Sequence, residues 1–406
     1  MAVCLLILFL LFFPPKALLS CGPQSPSDCF RSAESTSALD EVVEKAIAEG
    51  KTPGAVVLVG HDGNIIFAKA YGNKSVEPQI ESMSMDTIFD LASLTKVVAT
   101  APSIMLLVQQ GKLQLDDPVA KYLPSFDKRG KGKITIRHLL THYSGLPADL
   151  RLSKKHKTSS RNIWTRIYQA KPLAPPGSRF IYSDLGFVVL GRVVEKISGK
   201  PLDVFVQENF FIPLEMKSSK FRPPKAEWPL IAPTERIKNG GMMRGKVHDP
   251  LAAALGGVAG DAGLFSSAKD LSKFCQMLLN QGSLEGVSVL RPTTVQLMVS
   301  PQSPAAKENI RGFGWDINST YSSAKGTHFS SESYGHTGYT GTSIWIDPTI
   351  QSYLIILTNR VHPDGKGNVK ELRTQVADIV GAALHECCSA DATQSGQRYT
   401  PLFRGL

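Results

Sequence analysis

Cysteine is scarce in this chain, with six in 406 residues, at positions 4, 21, 29, 275, 387 and 388. None has the spacing of a zinc site, and the adjacent Cys387 and Cys388 cannot close a tetrahedral one by themselves. The nine histidines include no His-Glu-x-x-His pair, so the pattern asks for no metal and no other cofactor. Aromatics are few, at 8%, and none interleave with the single basic run, so the usual signature of nucleic-acid binding is missing. There is no internal repeat, no low-complexity tract and no Gly-x-Ser-x-Gly elbow, which excludes solenoids and the α/β-hydrolase type of esterase. The long apolar stretch Ala2 to Phe13 is too short to span a bilayer comfortably. What remains is a chain with 42% apolar and 20% charged residues, long enough to bury a large core and neither disordered nor fibrous.

The apolar stretch is followed by Pro14, Pro15, Lys16 and then Ala17-Leu18-Leu19-Ser20-Cys21. Residues 1–20 therefore read as an export signal, and the Pro/Ser-rich 21–37 as a linker. Leu18-Leu19-Ser20-Cys21 resembles a bacterial lipobox, in which Cys21 carries lipid and anchors the chain to a membrane. The rival readings are a plain cleaved signal and an uncleaved anchor. Each of these implies an exported protein of the periplasm or cell envelope. Cys29 and one of Cys387 or Cys388 leave a disulfide open as an alternative, while Cys275 shares an apolar helical face with Leu271, Phe274 and Leu278 and reads as a buried hydrophobe. The net charge is +10, but the positive residues are scattered except in Arg151–Arg161. That run reads as a solvated loop in preference to an anion-binding patch.

Leu39, Val42, Val43, Ala46 and Ile47 fall at helical spacing up to Gly50. Two β-rich runs follow, at Ala55–Val59 and Ile65–Ala68, with the hairpin turn His61-Asp62-Gly63-Asn64 between them. A second pair, Thr342–Ile346 and Tyr353–Leu357, flanks Asp347-Pro348, and Val369, Leu372, Val376, Ile379, Val380 and Ala383 mark a C-terminal helix. The middle is mostly helix and loop. These elements predict an α+β domain over 38–386 in two lobes. An antiparallel sheet built from 38–90 and about 300–386 carries the terminal helices, a helical lobe occupies about 91–299, and 387–406 form a tail.

Ser93-Leu94-Thr95-Lys96 places a hydroxyl and an amine three residues apart at the start of a helix whose apolar stripe is Val97, Ala101, Ile104, Met105 and Val108. A serine needs a base within hydrogen-bond reach to act as a nucleophile. A lysine at the front of a buried helix is dehydrated, which pushes its pKa toward neutrality. Two further groups have suitable settings. Tyr182-Ser183-Asp184 follows the rigid turn Leu173-Ala174-Pro175-Pro176-Gly177 and precedes a helix with Leu190, Val193, Val194 and Ile197. His336-Thr337-Gly338 runs into the strand Thr342–Ile346, where a glycine permits close approach and a strand edge offers N–H groups to a carbonyl.

Together, and in this order, the three motifs resemble those of the penicillin-recognising serine hydrolases, in the branch of class C β-lactamases and D-alanyl-D-alanine carboxypeptidases. Leu139–Pro147, Pro175-Pro176-Gly177 and Gly338–Thr342 are similar to the same branch, and the resemblance covers about Leu39 to His385. It implies a two-lobe fold and a covalent acyl-enzyme. On that resemblance Ser93 attacks a carbonyl, Lys96 takes or relays its proton, and Tyr182 delivers a proton to the leaving group and later activates water. The backbone N–H groups of Ser93 and Tyr339 form the oxyanion hole, and His336, Thr337, Gly338 and Asp184 bind substrate.

Two departures bear on substrate. Asp184 stands where the family often has Asn, and a carboxylate cannot donate to an acyl-amide side chain. His336 stands where many β-lactamases have Lys, so a substrate carboxylate meets a weaker, pH-dependent charge. The stretches Val247–Pro250 and Leu255–Ser266 are similar to a subgroup that acts on cell-wall muropeptides, the rival reading being a Gly-rich structural turn. The expected activity is thus cleavage of an amide bond in a cell-wall muropeptide or a β-lactam, the two departures weighing against efficient β-lactam hydrolysis, and the expected partner is that muropeptide or small-molecule substrate, not nucleic acid. A carboxylesterase using the same three residues and a cell-wall binding protein without turnover are the alternatives.

Overall fold

The computed structural model describes residues 33–150, 159–238, 240–304 and 309–395. The signal segment, Cys21, Cys29, most of Arg151–Arg161 and the side chains of Cys387 and Cys388 lie outside what it describes. The N-terminal helix α1 spans Ala33–Ala48, so it begins inside the stretch read as a linker. At the other end α5, Lys370–Ser395, extends into the stretch read as a tail.

Eight antiparallel strands form the main sheet. They are β1 (Gly54–His61), β2 (Asn64–Ser75), β3 (Glu81–Ser82), β4 (Ile310–Arg311), β5 (Asp316–Asn318), β6 (Tyr334–Thr337), β7 (Ser343–Asp347) and β8 (Ser352–Thr358), in the order β3-β2-β1-β8-β7-β6-β5-β4. The first and last parts of the chain meet along β1 and β8, with Val57 opposite Ile356. Both strands are buried along their whole length because both sheet faces are covered. Val57, Val59, Leu354 and Ile356 join Leu39, Val43, Leu372, Val376 and Val380 of the terminal helices. Their neighbours Val56, Leu58, Ile355 and Leu357 face the helical lobe, where α4, Ala268–Leu279, contributes Phe274, Cys275 and Leu278. The alternation of side chains along a strand divides the two cores.

The helical lobe carries α2 (Ala101–Gln109) and α3 (Asp184–Ser198). It also contains a three-stranded sheet in which Leu264–Ser266 pairs with both Phe89–Asp90 and Lys220–Phe221. The Gly-rich stretch before Leu264 also reaches the segment after Ser93, its Asp261 and Gly260 carbonyls accepting from Lys96 and Thr100. Ser160 and Arg161 begin a helix, Ser160–Gln169, in place of the end of a solvated loop.

Candidate active site

Ser93 lies where the chain leaves the small sheet and enters the buried segment leading to α2. Ala92 is forced to φ +46°, a conformation that costs of order 1–3 kcal/mol in a residue with a side chain. The Asp90 carboxylate stabilises this turn by accepting the Ala92 N–H at 2.9 Å, and it also accepts the His248 N–H at 2.7 Å. Burial raises its pKa to about 6. The expected helix start is irregular: Ala92–Leu94 is a 3₁₀ turn and Lys96–Thr100 a π turn before α2 proper. Such distortions are common at functional positions.

Lys96 is fully buried. Its Nζ donates to Ser93 Oγ at 2.9 Å and to the Asp261 carbonyl at 3.0 Å, and it is ion-paired to Asp184 Oδ1 at 2.6 Å. This corrects the expectation that burial leaves Lys96 close to neutral. Dehydration does push its pKa down, but the negative charge of Asp184 outweighs that and holds the ammonium above its usual range. It also places Asp184 against Lys96, at the first turn of α3, with its side chain 29% exposed.

The Tyr182 ring lies 5.3 Å from Lys96 Nζ and 5.9 Å from the Arg311 guanidinium, and Ser93 is near enough to its hydroxyl to help lower its pKa. Burial raises its pKa more than these cations lower it, so Tyr182 rests as the neutral phenol. His142, fully buried, stacks on the same ring at 4.3 Å and 25°. His336 stands at 6.0 Å from it.

His336 and Thr337 form the end of a separate strand, β6, paired to β7 with His336 opposite Ile344, and do not run directly into β7 as the sequence suggested. On its other side β6 pairs with β5 only at Gly335, which leaves the edge at His336 and Thr337 open. Gly338 is required where the turn presses on the serine segment: a Cβ there would come within 2.4 Å of the Leu91 carbonyl and 2.1 Å of Thr342 Oγ1. Thr340 and Thr342 donate to the carbonyls of Asp90 and Leu91, so the loop carrying Tyr339 is stitched to the residues just before Ser93. Tyr339 itself is exposed, stacked with His248 and covered by Arg360 at 4.4 Å. His336 donates from Nδ1 to the Thr337 carbonyl at 2.8 Å. Burial, reinforced by Arg311 and Lys96, drives its pKa well below the ordinary value. It is therefore neutral near pH 7, and the pH-dependent charge expected of it is corrected to none in that range.

Sequence reasoning gave no role to His142, Arg311, Asp90 or Asp261. His142 and Asp261 left a signal, as parts of Leu139–Pro147 and Leu255–Ser266. Asp249 caps the helix Pro250–Ala254 and His248 faces Glu235 at 3.3 Å. Among the described residues no group of three or more His, Cys, Asp or Glu is arranged to hold a metal. An open cavity of about 410 Å³ beside Trp164, Tyr168 and Arg192 includes none of the Ser93 group.

The beta-lactamase family model matches residues 39–378. The chain is 35% identical over 377 residues to an N-acetylmuramyl-L-alanine amidase of Bacillus subtilis, covering 82% of this chain and 84% of that one. It is 32% identical over 374 residues to an Escherichia coli protein named provisionally as a D-alanyl-D-alanine carboxypeptidase, with 83% and 85% covered. Among solved structures, the hydrolase EstCE1, described as having promiscuous acyltransferase activity, superposes with a TM-score of 0.69 at 25% identity, over 86% of this chain and 98% of that one.

Proposed function

The chain belongs to the beta-lactamase family of serine hydrolases, and from that premise we propose that it cleaves an amide bond of a cell-wall muropeptide through an acyl-Ser93 intermediate. The observation that carries the reading is the 2.9 Å hydrogen bond between Lys96 Nζ and Ser93 Oγ, made by an ammonium already held by Asp184. Lys96 then acts as a relay: it accepts the Ser93 proton as it passes one to the Asp184 carboxylate, and the Ser93 oxygen adds to the carbonyl. The oxyanion forms at the backbone N–H groups of Ser93 and Tyr339. Tyr182, a neutral phenol, gives its proton to the leaving amine. In the second half it takes a proton from the water that hydrolyses the acyl-serine, and the proton held on Asp184 returns through Lys96 to the departing Ser93 oxygen, which restores the resting state. The names of the two curated relatives support the amide and the muropeptide. A carboxylesterase with the same residues is the second reading, supported by the similarity to EstCE1.

The test is an intact-mass time course with N-acetylmuramoyl-L-alanyl-D-isoglutamine, a peptide ending in D-alanyl-D-alanine, benzylpenicillin and a short acyl ester. The expected result is turnover of one of the amides with an adduct on the native chain and none on Ser93→Ala. Turnover of the ester alone establishes the second reading, and turnover retained in Ser93→Ala refutes both.

A further inference from the structure

The residue that holds Tyr182 in place is His142. It meets the tyrosine's segment at three points. Its backbone carbonyl accepts the Ile181 N–H at 2.9 Å, its Nδ1 accepts the Ser183 N–H at 3.0 Å, and its ring lies against the Tyr182 ring between those two bonds. One residue therefore grips the chain immediately before and after the phenol and supplies a plate for its face. The left-handed backbone of His142, φ +61°, turns the carbonyl and the ring toward the same segment. Because Nδ1 accepts, the ring proton sits on Nε2, which is buried with no hydrogen-bond partner among the described residues. His336, with Nδ1 donating, has the opposite tautomer. Lys96 and Arg311 press positive charge on His142, and with its burial they keep it uncharged near neutral pH.

We propose that His142 is a positioning residue for Tyr182, fixing the phenol at the distance and angle at which it delivers its proton to the leaving group. The proposal rests on the acyl-Ser93 reading. It predicts a defect that depends on the leaving group. An amide or alkyl ester needs the proton, whereas p-nitrophenolate departs without one. A merely structural role lowers both substrates alike.

The experiment compares the native chain, His142→Ala and His142→Asn on an amide or alkyl ester and on the p-nitrophenyl ester of the same acyl group. Asparagine tolerates the left-handed backbone and keeps an acceptor near the position of Nδ1. Misplacing a catalytic group by about 1 Å costs on the order of 10²-fold in rate. His142→Ala is therefore expected to lower the pre-steady-state acylation rate about 100-fold on the poor leaving group and less than fivefold on the p-nitrophenyl ester, while deacylation, common to the two because they share the acyl group, slows equally for both. His142→Asn should recover about tenfold of the acylation loss. Equal losses of acylation rate on both substrates, or no rescue by asparagine, overturn the proposal. Histidine ¹⁵N NMR on the native chain, with His142→Asn assigning the signal, provides a readout apart from activity. The proposal requires an unprotonated Nδ1 and a protonated Nε2 at pH 7, and the other tautomer or a charged ring refutes it. If the native chain forms no acyl-Ser93 the functional reading falls, and the tautomer still decides whether the grip on Tyr182 exists.

Discussion

Replacing Asp184 by Asn removes the counter-charge of a fully buried ammonium and leaves the shape of the side chain nearly unchanged. The pair is 2.6 Å apart, with Lys96 fully buried and the Asp184 side chain 29% exposed. Removing one member of a buried pair costs about 3–5 kcal/mol, and the partial exposure of Asp184 lowers that to about 2–4 kcal/mol. At about 2 °C per kcal/mol for a domain of this size, Tm should fall by about 4–8 °C at pH 7. The pH dependence of the loss follows from the direction of the shifts. In the native chain the Lys96 pKa is raised, so its contribution is fully present below the unfolded value of 10.5 and stays level across the neutral range. In Asp184→Asn, burial is less opposed and the folded pKa drops below the unfolded one. The unfolded chain then holds the extra proton between those two values, so stability climbs as pH rises through that window. Activity should follow. If Asp184 is the end of the proton relay, acylation at pH 7 falls about 10²-fold and recovers with rising pH as Lys96 becomes a free base. Stopped-flow acylation and thermal melts from pH 6 to 10 measure both. A variant as fast and as stable as the native chain at pH 7, with a flat profile, would refute the relay and the electrostatic account of Lys96 together.

Gly338→Ala drives a methyl into the Leu91 carbonyl and pushes the Tyr339 loop off the serine segment. It should lower kcat about 10²-fold and cost about 1–3 kcal/mol, and kinetics within threefold of native would contradict the stitching of β6 to Ser93. If Cys21 carries lipid, labelled palmitate is incorporated into the native chain and lost in Cys21→Ala. Equal labelling of the two would remove the proposed anchor.

The parts of the fold that can be read directly are those where one local signal suffices. Ala55–Val59 and Tyr353–Leu357 are apolar runs buried on both faces, and α3 and α5 carry stripes at helical spacing. The strands Ile310–Arg311, Asp316–Asn318 and Tyr334–Thr337 are two to four residues long and are added outward from the edge of β7, each on the one before it, so no periodicity announces them. In the site, the three-residue spacing of Ser93 and Lys96 is local and was legible. The pairing of Asp184 with Lys96 depends on where α3 begins in space, and no local signal announces it. The strain at Ala92 and His142 was hidden for a related reason. Neither alanine nor histidine advertises a positive φ, and only the hydrogen bonds of Asp90 and Ser183 make those conformations tolerable.

The same geometry changes how a charged substrate would be met. With His336 neutral, the cations at the turn between β6 and β7 are Arg373 and Arg360. Arg373 donates to the carbonyls of Gly338 and Thr342 at 2.9 and 2.8 Å. Burial and the neighbouring Arg360 lower its pKa only to about 10, so it remains charged wherever the enzyme would work. Arg360 lies over the exposed Tyr339 ring at the rim. Replacing lysine by histidine in the third motif therefore removes a titrating charge from the floor of the cleft without making the turn electrically neutral. A substrate carboxylate reaching the open edge of β6 would be attracted by the Arg373 guanidinium, whose charge does not vary between pH 5 and 9, and an acid limb of the activity profile in that interval must come from another group.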